Sequence, residues 1–358
     1  MVRKELVEAG AALIAIGLVL LLAPELLAQR ELYPMTVACI GISIIALGIL
    51  MFAVSEKGLF VLKVLSSALY ITGTVVILLG VLGVPILFFT GLMKGPYTFS
   101  YRDAGPVEGN KVHLEIQNPI GNIVVGSWKQ SEYLVEVTLN VQALSQKAAE
   151  QAAESFKPIV TIEHIGNKTM IKVQPSQFKP PVFMTYDVRV TLPQEVSAEL
   201  SLQTSVGSVK LRDIFVSEAN IEATTGQVII SNVKANSLNA KTTTGTIEAV
   251  VDTKIARIST TTGKIELSVT GTFTGEYILM ATTGKISISV PEKTGIGVQL
   301  EAISTLGDIE YPKSWITSVE SVFGPKSVTA KNPDFDSAKV KIIFKAEVTT
   351  GKIEVTQG

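Results

Sequence analysis

Apolar and polar positions follow two different rules along this chain. In the first 95 residues the apolar positions run on without interruption. Ala9–Pro24 carries no charge, Leu32–Ser55 is 24 uncharged residues, and Val64–Met93 is 30. About 20 helical residues cross the hydrocarbon core of a bilayer, whereas a helix packed on a soluble core keeps a polar face. The pattern predicts three membrane-spanning helices at about 9–28, 34–54 and 66–92, together an anchor over residues 1–95. The first run follows Arg3 and Lys4 and so also fits a secretory signal. Glu5 and Glu8 dilute its basic region and no clear cleavage site follows, which favours an uncleaved helix.

After Pro106 the period changes to two. Val112–Ile116 and Tyr133–Leu139 alternate apolar and polar residues, the signature of half-buried strands. Residues 145–156 break the alternation: Leu144, Ala148, Ala152 and Phe156 recur every fourth residue and predict one amphipathic helix ended by Pro158. Residues 96–199 thus read as a β-rich region with one inserted helix at about 145–156.

Residues 200–358 repeat. Turn elements of the type Thr-Thr-Gly end at Gly207, Gly226, Gly245, Gly263, Gly284, Gly307 and Gly351, with an early copy at Gly121. The gaps from Gly207 to Gly307 are 19, 19, 18, 21 and 23 residues, followed by one of 44. That last gap leaves room for a degenerate repeat, for which Phe335–Phe344 is the candidate. Two residues after the glycines stand Ile123, Val209, Val228, Ile247, Ile265, Ile286, Ile309 and Ile353. Four after them the column is again mostly aliphatic, and five before them come Leu202, Ile221, Ala240, Ile258, Leu279 and Ala302. A unit of this length cannot bury its apolar face alone, but stacked copies share one core. Glycine supplies the positive φ at each turn. Threonine suits the flanks because it is β-branched and its hydroxyl can bond the turn backbone or the next rung. The predicted fold class is an all-β stacked-repeat, β-solenoid-like domain behind an N-terminal transmembrane region of three helices.

Charge narrows the functional classes. The first 95 residues hold six Lys/Arg and five acids, leaving 25 basic and 27 acidic residues for the rest. Such a balance lacks the basic field that phosphate backbones require, so nucleic acid is not an expected partner. Three spans would put Arg3, Lys4, Lys57 and Lys63 on one side and Arg30, Lys94 and Arg102 on the other. By the positive-inside rule the protein is a multi-pass cell-membrane protein with its C-terminal domain outside.

The residues offer little chemistry. Cys39 is the only cysteine, and His113 and His164 are the only histidines. No catalytic, cofactor-binding or metal-binding set emerges, and no Gly-x-Ser-x-Gly elbow is present. Asp308 with Glu310, and Asp334 with Asp336, read as solvated loop acids. Glu248, Glu266, Glu310 and Glu354 form an outward column whose mutual repulsion Lys264, Lys285 and Lys352 can offset. Asn167-Lys168-Thr169 is a glycosylation-type triplet.

The run Leu114–Ile123, the strand Tyr186–Pro193 and the iterated Thr-Thr-Gly elements resemble the bacterial and archaeal domains known as the putative adhesin family. The resemblance extends from about Lys111 to Gly358. It implies a β-strand-repeat domain, often tethered to a membrane, and offers no catalytic residues to carry over. The favoured reading is a noncatalytic extracytoplasmic adhesion or interaction module. Its partners would be the membrane and an envelope polymer, cell surface or protein. The alternatives are an envelope-sensing regulator whose helices dock to a partner and, third, a polysaccharide-acting β-helix enzyme.

Overall fold

The computed structural model describes residues 94–177, 184–320 and 325–358. Fourteen strands and one helix follow the chain as β1 (Lys94–Pro106), β2 (Lys111–Ile120), β3 (Ile123–Trp128), β4 (Glu132–Ala143) and α1 (Gln146–Ser155). Then come β5 (Pro158–Ile165), β6 (Lys168–Pro175), β7 (Met184–Pro193), β8 (Ser197–Arg212), β9 (Phe215–Ser268) and β10 (Gly275–Val290). The chain closes with β11 (Ile296–Glu310), β12 (Ile316–Glu320), β13 (Lys326–Lys331) and β14 (Val340–Gln357).

The described part is all-β, but the expected three-helix transmembrane region is not found in it. Among the described residues α1 is the one helix, and none is long and apolar enough to cross a membrane. Ten residues of helix rise only about 15 Å, and α1 is rich in Gln, Glu and Ala rather than in large apolar residues. The segments read as spans, at about 9–28, 34–54 and 66–92, lie outside the described residues. Tyr97, Phe99 and Tyr101 pack on the β-domain core from within β1.

Each repeat turns at its glycine and runs on into the next rung. Successive rungs pair in parallel with glycine beside glycine, as in Gly207↔Gly226 and Gly263↔Gly284. The columns after the glycine point inward: Val209, Val228, Ile247, Ile265, Ile286 and Ile353 are all fully buried. A second corner follows six residues after the first two of these glycines, where Asp213 and Asn232 take φ of 50° and 53°. Asp and Asn tolerate that region because their short side chains bond locally, and Asn232 Nδ2 donates to Asp213 Oδ1 at 2.8 Å.

The rungs are not stacked in chain order. The long sheet runs β1-β4-β7-β3-β8-β9-β10-β14-β11-β13-β12, so the last strand lies between two earlier ones. Gly351 pairs with Gly284 on one side and Gly307 on the other. The 44-residue gap therefore holds no degenerate repeat. Residues 311–339 carry β12 and β13, which pair antiparallel with each other, and β13 pairs antiparallel with β11 near the sheet's end. Phe344 belongs to the rung of Gly351 itself, where its buried ring meets that of Tyr277 at 5.3 Å between centroids. At the other end the first rung divides. Its arm before Gly121 continues through β6 and β5, and its arm after Gly121 continues through β7, β4 and β1.

The helix covers part of this divided end. Ser145 caps it, accepting a hydrogen bond from the Ala148 amide at 3.2 Å. Its buried residues are Ala149 and Ala153, with Ala152 and Phe156 partly covered. Leu144, expected on that face, precedes the cap and is 61% exposed. Small side chains let the helix lie close to the strands.

Candidate functional site

The turn glycines form a ladder with no room for a side chain. From Gly207 to Gly351 their φ values lie between 142° and 151°, and Gly121 stands at 130°. A Cβ on Gly245 would fall 1.7 Å from the carbonyl oxygen of Gly226, and one on Gly307 would fall 1.6 Å from that of Gly351. Each glycine thus makes room for the carbonyl of the rung before it.

The threonines divide by position. Thr204, Thr242 and Thr260, three residues before their glycines, are buried, while the next two residues in each rung are exposed. Thr204 Oγ1 donates to the Gly121 carbonyl at 3.3 Å. The buried hydroxyls of Thr242, Thr260 and Ser304 have no partner among the described residues. The expected hydroxyl cross-linking of rungs is therefore confined to the first. Ala223, Ala281 and Val348 occupy the same column elsewhere, so small size and β-branching, not hydroxyl chemistry, suit residues to it.

Single ionisable groups are engaged in structure. His113 Nδ1 lies 3.4 Å from Glu199 Oε2, which also pairs with Lys168 at 2.7 Å. The Lys168 ammonium, aided by His113 and opposed by partial burial, holds the Glu199 carboxyl below its usual range. His164 Nδ1 lies 3.2 Å from Thr169 Oγ1. Asp308 and Glu310 do not act as a pair: Asp308 faces Lys326 at 3.6 Å and Glu310 faces Lys352 at 2.6 Å. Asp336 lies 3.9 Å from Lys331, and the Asp334 carbonyl accepts amides of its own turn. Asn167 Nδ2 donates to Asn110 at 2.8 Å and Thr169 is fully buried, so that triplet is built into a turn contact. Among the described residues no three His, Cys, Asp or Glu side chains gather as a metal site.

Among the described residues Asp252 is the most enclosed acid. It is 3% exposed and accepts from the Thr270 and Thr272 hydroxyls and from the amides of Thr270, Gly271 and Thr272. Burial pushes its carboxyl up, but these donors outweigh burial and hold it below the usual carboxylate range. It fixes the turn between β9 and β10.

The outer face beyond the glycines carries two polar rows that change character along the sheet. In the later rungs the expected Glu/Lys stripe is paired within and between rungs. Lys264 meets Glu266, Lys285 reaches Glu354 in the inserted strand, and Lys352 reaches Glu310 in the next. The insertion also sets Ser287, not a further acid, between Glu266 and Glu354.

In the first five strands the same rows hold a different set. One is a relay of hydrogen bonds: Asn140 and Asn122 donate to Asp187, and Ser208 Oγ donates to Asn122 Oδ1 at 2.7 Å. The other reads Arg102, Glu136, Arg189, Val124, Lys210 across β1, β4, β7, β3 and β8. An open trough of about 540 Å³ lies over these residues. A smaller hollow of about 100 Å³ continues it over Gly126 toward Arg212. Sequence reasoning did not find this place, because its residues come from five separate segments joined by both parallel and antiparallel pairing.

Comparison with known proteins places the repeats in context. No curated protein matches the chain. Three similar solved structures are a "putative cell adhesion protein" from Clostridium sporogenes, a "putative adhesin" from Parabacteroides distasonis and a "putative lipid binding protein" from Parabacteroides distasonis. The first is 14% identical with a TM-score of 0.35, over 73% of this chain and 100% of the other. The second is 10% identical with a TM-score of 0.33, over 73% and 97%. The third is 11% identical, also with a TM-score of 0.33, over 72% and 96%. The family model described as Toastrack DUF4097 matches residues 187–343, from within β7 to the start of β14.

Proposed function

We propose that this protein is a noncatalytic interaction module, held at a membrane by its apolar N-terminal segment, with the β-domain meeting envelope polymers outside the cell. The observation that carries the reading is how the ionisable side chains of the repeats are disposed. They are spread rung by rung and tied in pairs, as in Lys285–Glu354 and Lys352–Glu310, instead of converging on one reacting centre. General acid–base or nucleophilic work needs such convergence within hydrogen-bond reach. A rigid face repeating about every 4.8 Å suits recognition of an extended partner. The attachment to a membrane rests on the uncharged runs Leu32–Ser55 and Val64–Met93, and the placement outside is what external protease tests.

The test has two readouts on cells producing the full chain. External protease is expected to remove the β-domain while the cells stay intact, and isolated envelope polysaccharide is expected to retain the full chain without being shortened. Full protection of the β-domain, or depolymerisation of the retained polysaccharide, would overturn the proposal.

A further inference from the structure

The two outer rows are tied in Lys–Glu pairs in the later rungs and leave their cations unpaired in the first five strands, and that contrast points to a ligand. We infer that the trough over β1, β4, β7, β3 and β8 binds a polysaccharide bearing spaced carboxylates, such as a chain with a uronic acid at every second sugar. The inference rests on the interaction reading above and names the class of partner.

Four cations border the trough: Arg102, Arg189, Lys210 and Arg212. All four are exposed, and none makes an ion pair among the described residues. The acids facing them are Glu136, Asp187 and Asp213. Asp187 is occupied by Asn122 and Asn140, and Asp213 accepts from Asn232. These neutral amides fix the two carboxylates in place without discharging them, so four cations face three acids and the trough keeps a net charge of about +1. The floor is kept low by β3, whose outward residues Val124 and Gly126 are small and flanked by Arg189 on one side and Lys210 and Arg212 on the other.

Spacing selects the ligand class. Arg102 and Arg189 lie two strands apart, as do Arg189 and Lys210, which sets the cations about 10 Å from one another across the sheet. Extended β-linked sugars repeat on a similar scale every two residues. A guanidinium presents a planar fork to a single carboxylate. Glu136 stands between Arg102 and Arg189, and Thr138, Asn122 and Ser208 lie in the adjoining row, offering acceptors and donors to sugar hydroxyls. A polyphosphate, with charge at every unit, would set anions against Glu136. A chain with neutral hydroxylated stretches between its charges meets no such penalty.

The test uses the full chain and three probes of similar length: a polyuronate with alternating neutral sugars, the same polymer with its carboxylates methyl-esterified, and a polyphosphate. Saturable binding of the first is expected, weakening as salt rises, with at least tenfold weaker binding of the ester. Arg102→Gln and Arg189→Gln are each expected to weaken binding about tenfold, the scale of one charge-assisted hydrogen bond. Lys264→Gln, in the paired region, is expected to leave binding unchanged. Equal binding of ester and acid, tighter binding of the polyphosphate, or full binding by both Arg variants would overturn the inference. The ester contrast needs no variant and so stands even if one fails to fold. Retention on envelope material that survives both Arg substitutions would sink the trough while leaving the interaction reading intact. Failure to bind any envelope material would sink the broader reading.

Discussion

At single positions the repeats are held by backbone more than by side-chain bonding. Gly245 sits at φ 151°, and any Cβ there would fall 1.7 Å from the Gly226 carbonyl oxygen. Since neither backbone can yield without breaking the parallel pairing, Gly245→Ala is expected to cost about 3 kcal/mol or more, read as a lower midpoint in urea unfolding. Gly295, at φ 84° with open space around it, is the control: its Ala variant carries backbone strain of about 1–2 kcal/mol without the clash and should cost less. Asp252 offers a second test. Because its carboxyl is held below the ordinary aspartate value of 3.8, its stabilisation is full above that value and fades as pH falls through the folded-state pKa. The wild type should therefore lose stability between pH 5 and pH 2 more steeply than Asp252→Asn, by urea midpoints across that range. Parallel slopes would show that the turn donors do not hold the carboxylate. In the alkaline range, burial pushes the Tyr277 hydroxyl up to about 12. Stability should accordingly decline once pH passes the ordinary tyrosine value of 10.0.

At the level of elements, the inserted strand is the feature that chain order did not reveal. The columns around Gly351 fit beside any other rung, because each offers the same inward Ile and Val and the same glycine. Nothing local distinguishes a strand that follows Gly307 from one that slips in ahead of it. What decides is the sheet's end, where β13 already pairs with β11 and closes that edge. In a Cys39→Ser background, Met280→Cys with Glu347→Cys should form a disulfide on oxidation. The two residues are direct neighbours on β10 and β14, about 4.8 Å apart and within disulfide reach. Met280→Cys with Ile303→Cys, separated by β14, should not. The reverse result would restore stacking in chain order. The turn spacing and core columns were legible because stacking demands the same residue type at the same offset in each rung. The face buried by α1 was not, since it depends on Ala149 and Ala153 fitting a neighbour that periodicity cannot show. The trough was the least legible part. Arg102 and Arg212 are 110 positions apart in the chain, and only the mixed pairing of five strands brings them to one face.

For the whole β-domain, eight glycine rungs run from Gly121 to Gly307 in one register, a ladder about 34 Å long at the usual strand spacing. Along it the outer surface changes from a trough with unpaired cations to a stripe of Lys–Glu pairs. The central claim is that this is a binding surface whose working part lies at the divided end, where the first rung splits. Arginine- and lysine-directed labelling of the full chain, with and without saturating envelope polysaccharide, tests it most directly. Arg102, Arg189 and Lys210 are expected to lose reactivity in the complex while Lys264, Lys285 and Lys352 keep theirs. Protection confined to the later rungs, or no protection at any of the six, would contradict it.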